Sequence, residues 1–188
     1  MDIRTAIFVG KPGSGKGTQA KLLAEKTGWH VLASGDAFRA IAAEDSAVGR
    51  KVKAETEQGF LMPPWFASYL FQKSIFAIPA DEGVVFDGFG RKVPEAELVR
   101  DVLHWLERPF RVVHIAVSDE LVIDRLTKRR EVSGRADDHN IEKRLDEYRI
   151  HTEPSIEVFH RAGELVEVDG SLPPEEVHAA IMRAIIAA

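Results

Sequence analysis

Between an apolar run, Ile3 to Val9, and a stretch of helical periodicity, Thr18 to Thr27, lies the segment Gly10-Lys11-Pro12-Gly13-Ser14-Gly15-Lys16-Gly17-Thr18. The order reads as strand, glycine-rich loop, helix. Glycines let successive backbone N–H groups curl around an anion without Cβ clashes, and the helix start adds its positive dipole end. A lysine at position 16 can reach the β- and γ-phosphates of a nucleotide, and the Thr18 hydroxyl can approach a magnesium ion. The strict motif has Ser or Thr directly after the lysine, whereas here Gly17 intervenes. A bland glycine-rich turn is the competing reading, and the strand–loop–helix context argues for a phosphate site. Its candidates are Gly13, Ser14, Gly15, Lys16, Gly17 and Thr18.

The rest of the chain alternates in the same way. Val31 to Ala33, Gly83 to Phe86, Arg111 to Val117 and Leu165 to Val168 read as further short strands. Asp36 to about Ile78 reads as helical, with breaks expected at Gly49, Gly59 and the Pro63-Pro64 pair. Glu95 to Glu107, entered through Pro94, Glu120 to Arg130, Ile141 to Arg161 with a break near Pro154, and Pro174 to Ile186 complete the helices. Glu131 to Asn140 is polar and reads as a loop or lid. Such alternation implies an α/β fold with a five-stranded parallel sheet and right-handed crossovers.

With 188 residues, one domain with one substantial core is expected. A net charge of −5 disfavours a generic nucleic-acid binder. The absence of cysteine excludes disulfides, thiolate metal sites and cysteine nucleophiles, and accords with a reducing cytosol. No apolar run approaches the roughly 18 residues of a membrane span, and the first ten residues look like a strand rather than a signal peptide. A cytoplasmic location without membrane or nucleic-acid partners is expected.

Several segments, taken together, resemble the adenylate kinases and their nucleoside monophosphate kinase relatives. Gly10 to Gln19 is similar to the phosphate loop of that family, including its Gly-Thr variant. Ala33-Ser34-Gly35-Asp36 with Phe38-Arg39, Gln58-Gly59-Phe60-Leu61-Met62-Pro63, and Phe86-Asp87-Gly88-Phe89-Gly90-Arg91 followed by Val93-Pro94-Glu95-Ala96 occur in the family's order. Arg125 with Lys128-Arg129, Ser133-Gly134-Arg135 with Asp137-Asp138, and Lys143-Arg144-Leu145 with Tyr148 resemble its lid region.

That resemblance implies a P-loop NTPase fold spanning 1–188 as one kinase domain, with core 1–33, 63–130 and 141–188, an acceptor-binding segment 34–62 and a short lid 131–140. It implies ATP and a nucleoside monophosphate as partners, Mg²⁺ with the ATP, no zinc and a monomer. Lys16, Arg91, Arg129, Arg135 and Arg144 would be catalytic. Arg125, Arg129 and Gly170 would join the loop in binding ATP. Ser34, Arg39, Phe60, Leu61, Met62, Gly88, Phe89, Gly90, Arg91, Glu95, Arg135 and Arg144 would bind the monophosphate. Thr18 and Asp87 would serve the magnesium, Asp87 through water. Arginine suits such sites because its planar fork holds phosphate oxygens bidentately and stays charged. Arg125 and Arg129, four apart, share one helix face.

Plainer readings compete at some positions. Asp87 before Gly88 could be an ordinary turn residue, Asp36 a helix cap, and Ser34 a capping hydroxyl. Arg130 and Arg149 read as surface charges. The histidines form no metal-binding spacing, so His104, His114 and His151 read as packing or capping groups. Trp29, Trp65 and Trp105 read as core or edge packing.

Three departures from the family pattern stand out. Gly90 occupies the place of a proline, Pro64 that of an acidic residue, and Glu95 that of a glutamine that reads the acceptor adenine. A glutamine amide both donates to and accepts from adenine, whereas an ionised glutamate only accepts and suits the paired donors of guanine better. AMP leads as acceptor on overall resemblance, with GMP or a pyrimidine monophosphate as the alternative. A non-catalytic nucleotide-binding protein and a P-loop kinase for a small metabolite are the rival classes.

Overall fold

A computed structural model describes residues 3–133 and 140–186. Its five strands are β1 (Thr5–Val9), β2 (His30–Ala33), β3 (Val84–Asp87), β4 (Phe110–Ala116) and β5 (Leu165–Asp169). All pair in parallel, in the order β2-β3-β1-β4-β5. β1 is central, and every one of its residues is buried, as expected for a strand covered on both faces. Its side chains alternate between two cores. Ile7 and Val9 join Phe71, Phe86, Leu103 and Phe159 on one face. Ala6 and Phe8 join Leu23, Ile115, Ile181 and Ile185 on the other.

The helices are α1 (Lys16–Thr27), α2 (Ser34–Ala42), α3 (Ala47–Glu57), α4 (Pro64–Ile75), α5 (Val93–Trp105), α6 (Asp119–Ser133), α7 (Ile141–Glu147), α8 (Glu153–Arg161) and α9 (Pro174–Ile186). α1 and α9 supply Leu23, Ile181 and Ile185 to the second core, while α4, α5 and α8 cover the first. Register aligns Phe8 with Asp87 and Ala33 with Asp87, so the carboxyl ends of β1, β2 and β3 meet at one edge. Ligands of open α/β sheets sit at that edge, just beyond the strand ends.

The helical segment after β2 departs from the expectation at Gly49. The chain breaks earlier, between Ala43 and Ser46, and Ser46 Oγ caps α3 by accepting the Gly49 N–H at 2.9 Å. Gly49 lies inside α3 because that helix packs hard against the end of α2, and a Cβ there would overlap the Glu44 carbonyl. At Gly59 the expected break does occur. The N–H of Phe60 bonds the Glu55 carbonyl and that of Gly59 bonds the Thr56 carbonyl, at 3.1 and 3.0 Å, with Gly59 at φ +82°. This is a Schellman turn, which a left-handed glycine completes. Pro64 opens α4, where a missing N–H costs nothing. Phe38, Val52, Met62 and Ala67 give α2 and α3 a small core of their own against α4.

Two further expectations change. Near Pro154 the helix does not break but widens into a π-turn, Tyr148–Thr152, before α8. Glu131 to Ser133 continue α6 rather than opening the loop, and Gly134, Arg135, Asp137 and Asp138 lie outside the described residues. Trp65 and Trp105 are surface side chains, 68% and 78% exposed, and only Trp29 packs against a core. His104 and His114 pair with Glu164 and Glu167 at 2.8 and 3.0 Å. Asp36 does not cap α2, which begins at Ser34.

Gly49 offers a test of packing against propensity. Helix propensity alone would make Gly49→Ala stabilising by about 1 kcal/mol. The Glu44 carbonyl forbids the methyl, so the substitution is expected to destabilise by about 1–3 kcal/mol in urea unfolding. A variant as stable as the parent would show that the α2–α3 contact yields freely.

Candidate functional site

β1 delivers the chain to the phosphate loop, and α1 begins at Lys16, with Gly15 in the left-handed conformation at φ +102° as its cap. The Lys16 ammonium turns back over the loop, donating to the carbonyls of Gly10 at 2.9 Å and Lys11 at 2.7 Å. It is 8% exposed. Burial pushes its pKa down to about 7; the Asp87 carboxylate opposes the shift, and the cations of Arg91, Arg144 and Arg129 add to it. Lys11, which motif reading passes over, fastens the loop from outside by pairing with Asp119 at 2.5 Å and donating to the Val117 carbonyl at 2.9 Å.

Asp87 ends β3 opposite this loop. A Cβ on Gly17 would lie 3.4 Å from Asp87 Oδ2, so glycine leaves space between the two. Asp87 Oδ1 is buried and accepts no hydrogen bond among the described residues. A buried carboxylate oxygen is seldom left so, and an unpaired one beside a phosphate loop fits a hydrated cation. Thr18 lines the same cleft.

Toward α6 and α9, Arg125 donates to the Gly170 carbonyl at 2.9 Å and to the Ser14 carbonyl at 3.4 Å. Gly170 in turn donates its N–H to Ala116 at 2.8 Å. Arg125 therefore ties the phosphate loop to the turn after β5. Arg129, one helical turn on, also lines the cleft.

Across the cleft, Ser34 Oγ donates to the Gly88 carbonyl at 2.8 Å, joining α2 to the turn after β3. This settles its hydroxyl: it crosses to β3 instead of capping α2. The Arg91 guanidinium lies so close over Gly88 that a Cβ there would overlap it, and Gly88 also has φ +76°. Arg39 pairs with Asp36 at 2.5 Å. Gly90 has φ +70°, a conformation closed to proline, so the backbone before Arg91 takes a path that a proline could not.

Glu95 compensates for that freedom. At the third position of α5 it reaches back, and its Oε2 accepts the Arg91 N–H at 3.0 Å. This is half of a capping box, shifted by one residue. Glu95 is 4% exposed. Burial raises its pKa to about 7 despite the opposing N–H bond and charge of Arg91 and those of Lys92.

These groups surround one cleft of about 1040 Å³. Of the residues singled out in the sequence, all line it except Phe89, Gly90 and Arg135. Phe89 turns into the core, with its ring 5.4 Å from that of Phe86. Gly90 packs beside Phe159 instead. Arg135 is outside the described residues. Sequence reading missed Glu147 and Thr152, both buried and both on the cleft wall. The signal for Glu147 was its place one turn after Arg144 on α7; Thr152 is the last residue of the π-turn.

Comparison with known proteins agrees with this architecture. The family model described as adenylate kinase matches residues 8–164. The chain is 36% identical to an adenylate kinase of Thermus thermophilus, over 98% of this chain and 99% of that protein. It is 36% identical to the adenylate kinase of Maricaulis maris, over 95% and 97%. It is 34% identical to adenylate kinase isoenzyme 1 of Cyprinus carpio, over 98% and 95%.

The buried Glu95 carboxyl predicts a pH signature in stability. Between pH 4.5 and about 7 the folded chain holds a proton at Glu95 that the unfolded chain has released, so this group lowers stability as pH rises through that window. Glu95→Gln removes the penalty and retains a carbonyl oxygen for Arg91. Its stability relative to the parent is expected to rise by about 1–3 kcal/mol from pH 4.5 to 7.5 in urea unfolding. A difference constant with pH would mean that Glu95 titrates as an ordinary carboxyl.

Proposed function

The chain belongs to the adenylate kinase family, and on that premise we propose that it transfers the γ-phosphoryl group of MgATP to a nucleoside monophosphate, with AMP as the leading acceptor. The observation that carries the reading is the cleft itself, where Lys16 on the loop side and Arg91 on the β3 side share one buried space with Asp87. In the reaction an oxygen of the acceptor phosphate attacks the γ-phosphorus while the bond to the β-phosphate oxygen breaks. ADP leaves, and the acceptor becomes a nucleoside diphosphate. Such transfer needs placement and charge neutralisation more than covalent help from the protein.

Each side chain then has a task. Loop N–H groups from Gly13 to Thr18 hold the donor phosphates, with Lys16 on the β- and γ-oxygens. Arg125 and Gly170 border the donor base. Arg39 and Arg91 hold the acceptor phosphate. Arg129 and Arg144 neutralise the moving group, in a space from which water, which would otherwise compete with the acceptor, has to be excluded. Asp87 and Thr18 would hold the hydrated magnesium, which supplies positive charge to the phosphate oxygens when bound. Segment 34–62 is the acceptor arm, with Phe60, Leu61 and Met62 at its cleft edge.

A second reading keeps the chemistry and changes the base. Glu95 on the cleft wall favours guanine when ionised, and can donate to adenine when protonated. Its raised pKa leaves both forms accessible near neutrality. A coupled assay with ATP and AMP, GMP, CMP or UMP decides. AMP is expected to give the highest kcat/KM, and Lys16→Ala to lower it about a thousandfold with the fold retained. Glu95→Gln is expected to raise the AMP-to-GMP ratio at least about fivefold. Absence of transfer to every monophosphate would contradict the proposal, and an unchanged ratio would remove Glu95 from base recognition.

A further inference from the structure

The face of α7 that carries Arg144 meets the exit of α3 residue by residue. Asn140, Lys143, Arg144 and Glu147 are spaced i, i+3, i+4 and i+7, and so lie along one side of the helix. Asn140 Nδ2 donates to the Glu57 carbonyl at 2.7 Å, a carbonyl that the Schellman turn does not use. The stem of Arg144 packs on Gly59, where a Cβ would lie 3.2 Å from Arg144 Cγ. The Lys143 ammonium sits 4.4 Å from the centre of the Phe60 ring. Glu147 Oε2 accepts the Leu61 N–H at 3.1 Å, while its other oxygen lies 3.3 Å from Lys143.

Leu61 is gripped from both ends of its backbone. Its N–H goes to Glu147, and its carbonyl accepts from Lys92 Nζ at 3.3 Å. Glu147 is 6% exposed, and a carboxylate so buried is retained only if its oxygens are paired. Here they are spent on a loop amide and a lysine. No step of the phosphoryl transfer uses Glu147 or Lys143.

We infer that Glu147 and Lys143 are positioning residues for the acceptor: they hold the 57–61 turn, with Phe60 and Leu61 at the cleft edge, against the helix that carries Arg144. The acceptor part of this inference rests on the proposed function. Glu147 acts through the Leu61 amide and Lys143 through the Phe60 ring, neither touching the transferring phosphate. The same contact links the acceptor arm to α7.

Two measurements test it, the first without any nucleotide. In Glu147→Leu the Leu61 amide is expected to exchange with solvent at least about tenfold faster, with the central β1 amides unchanged. In steady-state kinetics the same variant is expected to raise the KM for AMP about tenfold while the KM for ATP stays within about twofold. Glu147→Gln keeps an oxygen for the Leu61 N–H and is expected to restore the AMP KM to within about threefold of the parent. Lys143→Met, on a partly exposed side chain, is expected to raise it about two- to fivefold and covers the case in which Glu147→Leu fails to fold. The inference is overturned if Leu61 exchange is unmoved, if both KM values rise together, or if Gln is as impaired as Leu. A parent without monophosphate kinase activity would instead refute the proposed function, since the exchange result stands apart from turnover.

Discussion

A single ammonium group, taken out of water and folded back over its own loop, sets the terms for the rest of this protein. Lys16 can sit there only because β1 is buried on both faces and ends in a glycine loop whose carbonyls of Gly10 and Lys11 turn inward. Desolvation dominates its electrostatics; the Asp87 carboxylate attracts the ammonium, and three arginines facing the same space repel it. A cleft lined with cations is an unfavourable arrangement for the protein alone. It becomes favourable when polyanions enter, so the energy needed to gather two nucleotides is built into the folded chain in advance.

The opposite wall solves a different problem. Arg91 must reach the cleft from a turn whose preceding residue, Gly90, lacks the stiffness of a proline. Gly88 leaves room for the guanidinium, Gly90 adopts a positive φ, and the Glu95 carboxylate fixes the Arg91 amide. One side chain thus serves both as a cap for α5 and as part of the cleft wall. That double duty explains why it is buried at the expense of its charge. A change at this position alters the backbone under Arg91 as well as any contact to a base.

Much of this was legible in the chain. The strand–loop–helix at Gly10 to Thr18 and the strand ending at Asp87 follow from local pattern, the site arginines were picked out by resemblance to a family, and the alternation of elements implies the parallel sheet. What stayed hidden depends on contacts between distant segments. Gly49 looks like a helix breaker until α2 packs against α3 and requires a residue without Cβ. Phe89 sits in a motif next to site residues, yet it follows a turn at Gly88, with φ +76°, and its ring joins that of Phe86 in the core. Glu147 looks like any helix-surface glutamate, and only the arrival of Leu61, distant in sequence, buries it. Pro154 marks a disturbance in that helix, but not that it takes the form of a π-turn with Thr152 buried on the cleft wall.

The most direct test of the role given to Lys16 is the number of protons taken up when ATP binds, from calorimetry in buffers of different ionisation enthalpy. With a pKa near 7 in the free protein, Lys16 is mostly neutral at pH 8, and a phosphate beside it restores the charge. Uptake of about one proton is therefore predicted at pH 8, declining to about a tenth at pH 6, and absent at both in Lys16→Arg, whose side chain is always charged. Equal uptake in parent and variant, or uptake that does not change with pH, would contradict a desolvated Lys16 that takes up a proton from solution when the negative phosphate arrives beside it.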